Sequence, residues 1–193
     1  MSPTFELKSE HRSMSIILDA LEKAALEMQQ RKNLDFLRLS QIVEFLWIYN
    51  DGCHHEKEEQ FLFPAMLECG SQWTADTIGS LSEEHASLRE HLKGIENKLR
   101  EYQQGQRYIQ VGLTSFILEY IKLQKKHIEI ENTLLFPLSE KILSPFRQES
   151  MLLSFKNLEG NKVDHVKHLE FFILLSNLYT ESSAVEPTIS FFY

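Results

Sequence analysis

Apolar residues recur at steps of three and four along most of the chain, which is the spacing of one buried face of an α-helix. The first stripe begins at Leu7 and includes His11, Met14, Leu18, Leu21, Ala25 and Met28. Stripes of this kind predict four long helices, over about residues 7–30, 33–70, 74–104 and 106–141. We place no strand anywhere in the chain.

Four helices of this length with short connections predict an all-α fold, an antiparallel up-down four-helix bundle over residues 1–144. After residue 144 the spacing is weaker, and it predicts one or two further helices over residues 145–182, packed on the bundle. The apolar residues of that region are Phe155, Leu158, Val163, Val166, Leu169, Phe172, Ile173 and Leu175. Residues 183–193 are expected to form a tail.

The chain also contains an internal repeat. The striped positions of the first helix reappear in the third helix at a constant offset, and Glu10-His11 matches Glu84-His85. The second and fourth helices also repeat at a constant offset, the one that separates His54 from His127. Their shared pattern is His54-x3-Glu58-x4-Phe63-Pro64 and His127-x3-Glu131-x4-Phe136-Pro137. The sequence therefore predicts a duplicated helical hairpin.

Charge and composition exclude several functions. The formal net charge is −8, so a nucleic acid or an anionic membrane surface would be repelled by the average field of the protein. No stretch of 18 uncharged apolar residues is present. Two cysteines, Cys53 and Cys69, are too few for a disulfide framework and fit a reducing compartment. We expect a soluble cytoplasmic protein that binds neither nucleic acid nor membrane.

The repeated His-x3-Glu pattern indicates a metal site. Residues four apart lie on one helix face, so His54 and Glu58 point to one spot, and His127 and Glu131 do the same. Burying these side chains with the histidines of the first and third helices would be costly without bound cations. Helical bundles use such carboxylates and imidazoles to hold paired iron or manganese ions. We therefore predict a dinuclear centre, with iron as its metal.

Some residues near this pattern have alternative interpretations. A single histidine of this kind is more often a hydrogen-bonded core or surface residue, and Glu56, Glu59 and Glu129 are expected to be solvated charges. His55 lies about 100° round the helix from His54, where it would reach the second metal or face solvent. Its counterpart in the other half is Ile128. If His55 binds, the two metals are unequal and one keeps an open position.

These residues resemble the hemerythrin-like family, the HHE cation-binding domains, over about residues 5–142. Glu-His opens the first and third helices, and His-His-x-Lys-Glu-Glu-x-x-Leu-Phe-Pro lies on the second. The fourth helix carries a stretch similar to the family's second signature, from His127 to Pro137. Oxygen-carrying members have a close histidine pair on the third helix, whereas Arg89 stands four residues after His85 here.

The resemblance implies the following metal ligands: His11, His54, His85 and His127 as terminal ligands, and Glu58 and Glu131 as bridges between two iron ions. An oxo, hydroxo or water ligand would complete the bridge, and manganese or zinc are possible substitutes for iron. Some members of the family place an extra ligand directly after the first histidine of the second helix. His55 occupies that position, so we include it in the predicted metal site.

Three functions are compatible with such a centre. The first is a metal-binding protein that binds or senses oxygen, nitric oxide or iron itself. The second is a di-iron enzyme acting on oxygen, peroxide or nitric oxide, or an iron-sulfur repair protein. The third is an interaction module, such as a homodimer, in which the metal pair only stabilises the bundle.

Overall fold

The structure is a computed structural model that describes residues 2–30, 35–105, 110–163 and 165–182. Within these ranges the chain is helical and contains no β-strand, so the predicted all-α class is confirmed. The α-helices are α1 (Pro3–Gln29), α2 (Phe36–Phe45), α3 (Phe63–Cys69), α4 (Gln72–Gln103), α5 (Gln110–Ile130), α6 (Phe136–Ile142), α7 (Pro145–Lys162) and α8 (His165–Ser182).

Three π-helical segments join some of these helices without a break. They are π1 (Leu46–His55) and π2 (Glu58–Leu62) between α2 and α3, and π3 (Glu131–Leu135) between α5 and α6. The predicted second and fourth helices are therefore continuous rods of changing pitch, α2–π1–π2–α3 and α5–π3–α6. We call α1 the first rod, α2–π1–π2–α3 the second, α4 the third and α5–π3–α6 the fourth. The sequence prediction found the rods but not the π-helical turns.

The π-helical turns accommodate the two Phe-Pro motifs. A proline inside a regular α-helix clashes with the carbonyl of the preceding turn and lacks an N–H donor. The backbone N–H of Phe63 instead reaches five residues back to the carbonyl of Glu58, and Phe136 does the same to Glu131. The wider turn thus lies between each Phe-Pro motif and the glutamate of its repeat, and such turns are frequent at functional sites.

Ordinary helix signals set several ends of the rods. The side chain of Ser2 accepts a hydrogen bond from the backbone of Phe5 at the start of α1, and Asp35 caps α2 through Arg38. After α4, Gly105 has a φ of +92°, a conformation that glycine adopts without strain. The predicted stop at Gly105 is correct.

The buried apolar residues form two clusters at different levels of the bundle. The larger cluster includes Met14, Leu18, Phe45, Leu88 and Tyr120. The smaller cluster surrounds the Phe-Pro motifs and includes Leu7, Leu62, Phe63, Leu81, Leu135 and Phe136. Along each rod, the buried histidines and glutamates lie in sequence between members of the two clusters. A polar layer therefore interrupts the core of the bundle.

The C-terminal region forms two helices, as its spacing predicted, but part of its buried face was assigned wrongly. Phe155 of α7 packs in the smaller cluster, and α8 contributes Phe171, Leu174, Leu175 and Leu178 to the larger one. Val166, Leu169, Phe172 and Ile173 are instead at least 45% exposed. The division at residue 144 stays a prediction, and the predicted tail (183–193) lies outside the described residues.

Contacts between the rods define the bundle. The helix α5 packs against both α1 and α4, and α2 packs against α1 and α4. Side-chain contacts at successive levels include Thr4–Glu140, His11–Asn132, Glu22–Lys125 and Met28–Thr114 between the first and fourth rods. In the part of the chain that the structure describes, no helix is long and apolar enough to cross a membrane.

Candidate metal centre

The polar layer brings together all seven residues predicted as metal ligands. Donor atoms of His11, His54, Glu58 and Glu131 lie within 4.8 Å of one another, and we call the histidines His11 and His54 the two-histidine group. The histidines His55, His85 and His127 form a second set with the same spacing, the three-histidine group. His85 and His127 also lie within this distance of Glu58 and Glu131. The two carboxylates therefore stand between the two groups.

Each of the five histidines has a partner on its outer ring nitrogen, Nδ1. The pairs are His11–Asn132 (3.0 Å), His54–Glu10 (2.7 Å), His55–Asp51 (3.3 Å), His85–Glu59 (2.7 Å) and His127–Glu84 (3.1 Å). In every pair the partner atom is a side-chain oxygen, which accepts a hydrogen bond from a protonated Nδ1. Such partners fix the ring orientation and leave the lone pair on Nε2, the arrangement typical of metal-binding histidines.

The inner nitrogens face each other in pairs. Nε2 of His11 lies 3.0 Å from Nε2 of His54, and Nε2 of His85 lies 3.0 Å from Nε2 of His127. Two lone pairs at this distance repel each other unless a proton or a cation lies between them. Two nitrogens that bind one ion at about 2.1 Å in perpendicular directions are about 3.0 Å apart, so the spacing suits a shared metal.

The two carboxylates supply the sharpest test of whether a cation fits here. Glu58 and Glu131 are fully buried, and none of their four oxygens has a hydrogen-bond partner. Imidazole nitrogens approach these oxygens at 3.1 to 3.8 Å, but not in hydrogen-bonding geometry. Leaving one buried polar atom unsatisfied costs about 1–3 kcal/mol, and more for a charged group. Carboxylate oxygens and neutral imidazoles form the donor set that divalent transition metals prefer, so the residues fit such ions.

In the metal-free protein, bound protons offset part of the negative charge of the two carboxylates. Burial and the facing Glu131 carboxylate raise the pKa of Glu58 well above its usual value. Burial works to lower the pKa of His127, but Glu131 and Glu84 together raise it to about 9. Burial lowers the pKa of His54 to about 4, against the effect of Glu10. A metal that binds to this cluster therefore has to displace the protons on His127 and Glu58.

His55 makes the two groups unequal. It is 1% exposed, its ring is stacked on His85 with the centroids 3.9 Å apart, and its Nε2 has no hydrogen-bond partner. Of the two alternatives left by the sequence, the structure places this side chain inside the cluster and not in solvent. Ile128, its counterpart in the repeat, offers no donor to the two-histidine group.

Arg89 holds two of the outer acceptors in place. Its guanidinium contacts Asp51 (2.6 Å) and Glu59 (2.8 Å), which accept from His55 and His85 respectively. The sequence-based interpretation of Glu59 as a solvated charge is therefore wrong, because its carboxylate bonds both His85 and Arg89. The two bonds also lower its pKa against the effect of burial. Arg89 therefore supports two of the histidines of the three-histidine group, His55 and His85.

A buried lysine supports the other side. Lys57 is fully buried, and its Nζ contacts Glu10 (2.5 Å), Glu159 (2.5 Å) and Glu6 (2.9 Å). Burial would raise the pKa of Glu10, but Lys57 and His54 lower it to about 2. Burial raises the pKa of Glu159 to about 7 in spite of Lys57. The network ties α7 to the acceptor of His54.

Sequence reasoning missed these outer partners, although the repeat contained a signal for them. Glu10 and Glu84 occupy equivalent positions in the first and third rods, and each bonds the histidine of its own half. Glu59 and Asn132 are equivalent in the second and fourth rods, and they bond the equivalent histidines His85 and His11. The duplication therefore extends from the inner residues to their supports.

One side of the centre lies close to the surface. An open depression of about 270 Å³ is lined by Lys8, His11, Arg12, Ser15, Ile128 and Asn132. It reaches His11 and its partner Asn132. The two-histidine group is therefore the one that borders this depression.

Comparison with known proteins agrees with this geometry. A family model described as the hemerythrin HHE cation binding domain matches residues 2–139. The matched range contains the five histidines of the two groups and the carboxylates Glu58 and Glu131. No curated protein and no solved structure shows significant similarity to the chain.

The carboxyl of Glu159 leads to a prediction about pH. A carboxyl whose pKa is about 7 in the folded protein binds more protons there than in the unfolded chain, where its pKa is near 4.5. The contribution of Glu159 to the free energy of unfolding therefore falls as pH rises from 4.5 to 7. We expect Glu159→Gln to remove about 1–3 kcal/mol of that fall. Urea unfolding of the metal-free protein at a series of pH values measures it.

Glu68→Gln is the matched control, because it changes a carboxylate in an exposed ion pair with Arg147. Its unfolding free energy is expected to follow that of the unsubstituted protein across the same range. If Glu159→Gln also follows the unsubstituted protein, Glu159 does not take up a proton on folding.

Proposed function

Because the chain belongs to the family of hemerythrin HHE cation-binding domains, we propose that it holds a non-haem di-iron centre that binds a small molecule. The proposed ligands are His11 and His54 for one ion, His55, His85 and His127 for the other, and Glu58 and Glu131 for both. Cation binding is the property of the family. Iron, the number of ions and the small molecule are the proposal.

One observation carries this proposal, namely that two fully buried carboxylates are shared by groups with different numbers of histidines. With the carboxylates and one bridging oxygen common to both ions, the two-histidine group supplies one donor fewer than the three-histidine group. That ion would keep a position free for an external molecule such as oxygen or nitric oxide. A purely structural pair of metals does not require such a difference.

The mixed set of imidazole and carboxylate donors supports iron, although manganese and zinc accept similar ligands. Iron would supply a redox-active Lewis acid at the centre. The chain's own residues orient and shield it. The imidazole rings are held by the outer acceptors Glu10, Asp51, Glu59, Glu84 and Asn132. The apolar clusters above and below the polar layer restrict the access of water.

The antiparallel order of the four rods is also part of the proposal. Its support is the series of contacts between the first and fourth rods, in which residue numbers rise in one and fall in the other, from Thr4–Glu140 to Met28–Thr114. Between the second and third rods, Phe36–Tyr102, Asp51–Arg89 and Glu59–His85 follow the same rule.

A second candidate is an interaction module in which the metals only stabilise the bundle. The observation that favours it is α8, which buries Phe171 and Leu175 but exposes Val166, Leu169 and Ile173. A second copy of the chain would be one way to cover that exposed face. A metal content that is stable to oxygen and reductant, with no change in absorption, would support this candidate over the first.

Metal content tests the proposal directly. We expect close to two irons per chain in untagged protein produced with ample iron. The double variant His54→Ala/His127→Ala, which removes one donor from each group, is expected to lose nearly all of it. Elemental mass spectrometry on purified protein is the measurement.

His91→Ala is the matched control, because His91 is on α4 but outside both groups, with its Nδ1 bonded to the carbonyl of Ser87. Its iron content should equal that of the unsubstituted protein. Absence of stoichiometric metal, or an equal content in the double variant, contradicts a centre at these residues.

Metal uptake is also expected to depend on pH. Because His127 has a pKa of about 9 in the metal-free protein, a binding metal must displace its proton at neutral pH. Affinity for a divalent metal should therefore rise with pH between 6 and 9, by up to about tenfold per pH unit for each proton released. Calorimetric titration in buffers of different ionisation enthalpy counts those protons. An affinity that is constant over this range would contradict the account.

A further inference from the structure

Three fully buried polar side chains lie one to two turns from the metal-binding histidines, toward the larger apolar cluster. They are Asn50, Tyr120 and Gln124, each at most 1% exposed, and we call them the amide layer. Asn50 precedes His54 by four residues, and Gln124 precedes His127 by three. This spacing puts both amides about one helical turn from the centre, on the side of the larger apolar cluster.

The amide layer does not satisfy its own hydrogen-bonding groups. Asn50 Nδ2 donates to Tyr120 Oη at 3.2 Å and to Gln124 Oε1 at 3.4 Å, both longer than the usual 2.9–3.0 Å or so. Asn50 Oδ1 and Gln124 Nε2 have no partner. Turning both amides over exchanges the atoms but still leaves one acceptor and one donor unpaired.

Such an arrangement is costly if nothing binds to it. Leucine at position 50 and methionine at position 124 would fill similar volumes in a part of the core that is otherwise apolar, without unpaired atoms. Tyr120 belongs to the larger apolar cluster, which also contains Met14, Leu88 and Leu92. On the opposite side of the centre, Phe136 stacks on His11 with the centroids 5.4 Å apart, in the smaller apolar cluster.

The unpaired atoms define the kind of molecule that would suit them. One acceptor, Asn50 Oδ1, requires a donor, and one donor, Gln124 Nε2, requires an acceptor. The hydroxyl of Tyr120 is a further donor, and burial raises its pKa, so it stays protonated at neutral pH. Oxygen and nitric oxide have no proton to donate, whereas water and hydrogen peroxide both donate and accept.

We infer that the amide layer is a binding site for a water-sized molecule that donates and accepts hydrogen bonds, namely water in the metal-free protein and hydrogen peroxide beside an iron-loaded centre. Asn50 accepts from the ligand, and Gln124 and Tyr120 donate to it. The inference rests on the proposed di-iron centre for its choice of ligand, because peroxide would lie there next to the metals. The unpaired amide atoms need hydrogen-bond partners whether or not a metal is bound.

The first test concerns the site itself. A crystal structure of the metal-free protein at high resolution is expected to show a water within hydrogen-bonding distance of Asn50 and Gln124. Two amides that pair only with each other and Tyr120, with no density for a water between them, overturn the inference. This outcome is independent of whether the protein binds iron.

The second test concerns the ligand. In the iron-loaded protein, we expect Asn50→Leu and Gln124→Met to weaken the binding of hydrogen peroxide at least tenfold, measured from the change in absorption by stopped flow. Nitric oxide affinity, measured in the same way on the reduced protein, should change less than twofold, and the iron content should not change. Leu92→Met, a volume-conserving change in the neighbouring apolar core, is expected to affect neither ligand.

The outcomes separate this inference from the proposed function. Equal losses for both ligands, or no loss for peroxide, overturn the inference while the iron content still supports the centre. If the unsubstituted protein contains no iron, the proposed function fails and the crystallographic water alone decides whether the site exists. Circular dichroism of each variant confirms its fold before binding is measured.

Discussion

Two carboxylates buried without a hydrogen-bond partner determine how the rest of this protein is built. Glu58 and Glu131 lie between two apolar clusters, where an uncompensated charge would cost several kcal/mol. Five imidazoles surround them, and each imidazole is oriented by an outer oxygen. Three of those acceptors are held in turn, Asp51 and Glu59 by Arg89 and Glu10 by Lys57. The polar layer is therefore organised outward from the two glutamates.

The repeat explains both the symmetry of this layer and its exceptions. The inner His-x3-Glu pairs and the acceptors Glu10 and Glu84 are equivalent in the two halves. His55 has no equivalent donor, because Ile128 stands at that position, and buried Lys57 is matched by Ile130. These differences give one group a third histidine and the other a buried cation with three carboxylates. The repeated scaffold thus carries two unequal groups of polar residues.

Much of this could be predicted from the sequence. The three-four spacing located the helices. The two His-x3-Glu pairs, the repeated Glu-His pairs and the family resemblance together predicted the seven polar residues that the structure brings together. The apolar spacing failed in α8, because Val166 and Leu169 suggested a buried face that the structure exposes. The roles of Glu59 and Lys57 could not be predicted. Sequence alone places a charged residue in solvent, because its partners on other helices are not known. The π-helical turns depend on the prolines and on packing together, and periodicity alone does not reveal them.

We have proposed that Glu58 and Glu131 bridge two iron ions that bind different numbers of histidines. Mössbauer spectroscopy on protein loaded with ⁵⁷Fe in the oxidised state tests it most directly. The account predicts two quadrupole doublets of equal area from an antiferromagnetically coupled pair, with no electron paramagnetic resonance signal from isolated iron. Magnetically independent ferric ions, or iron that gives only one doublet, would contradict an unequal bridged centre.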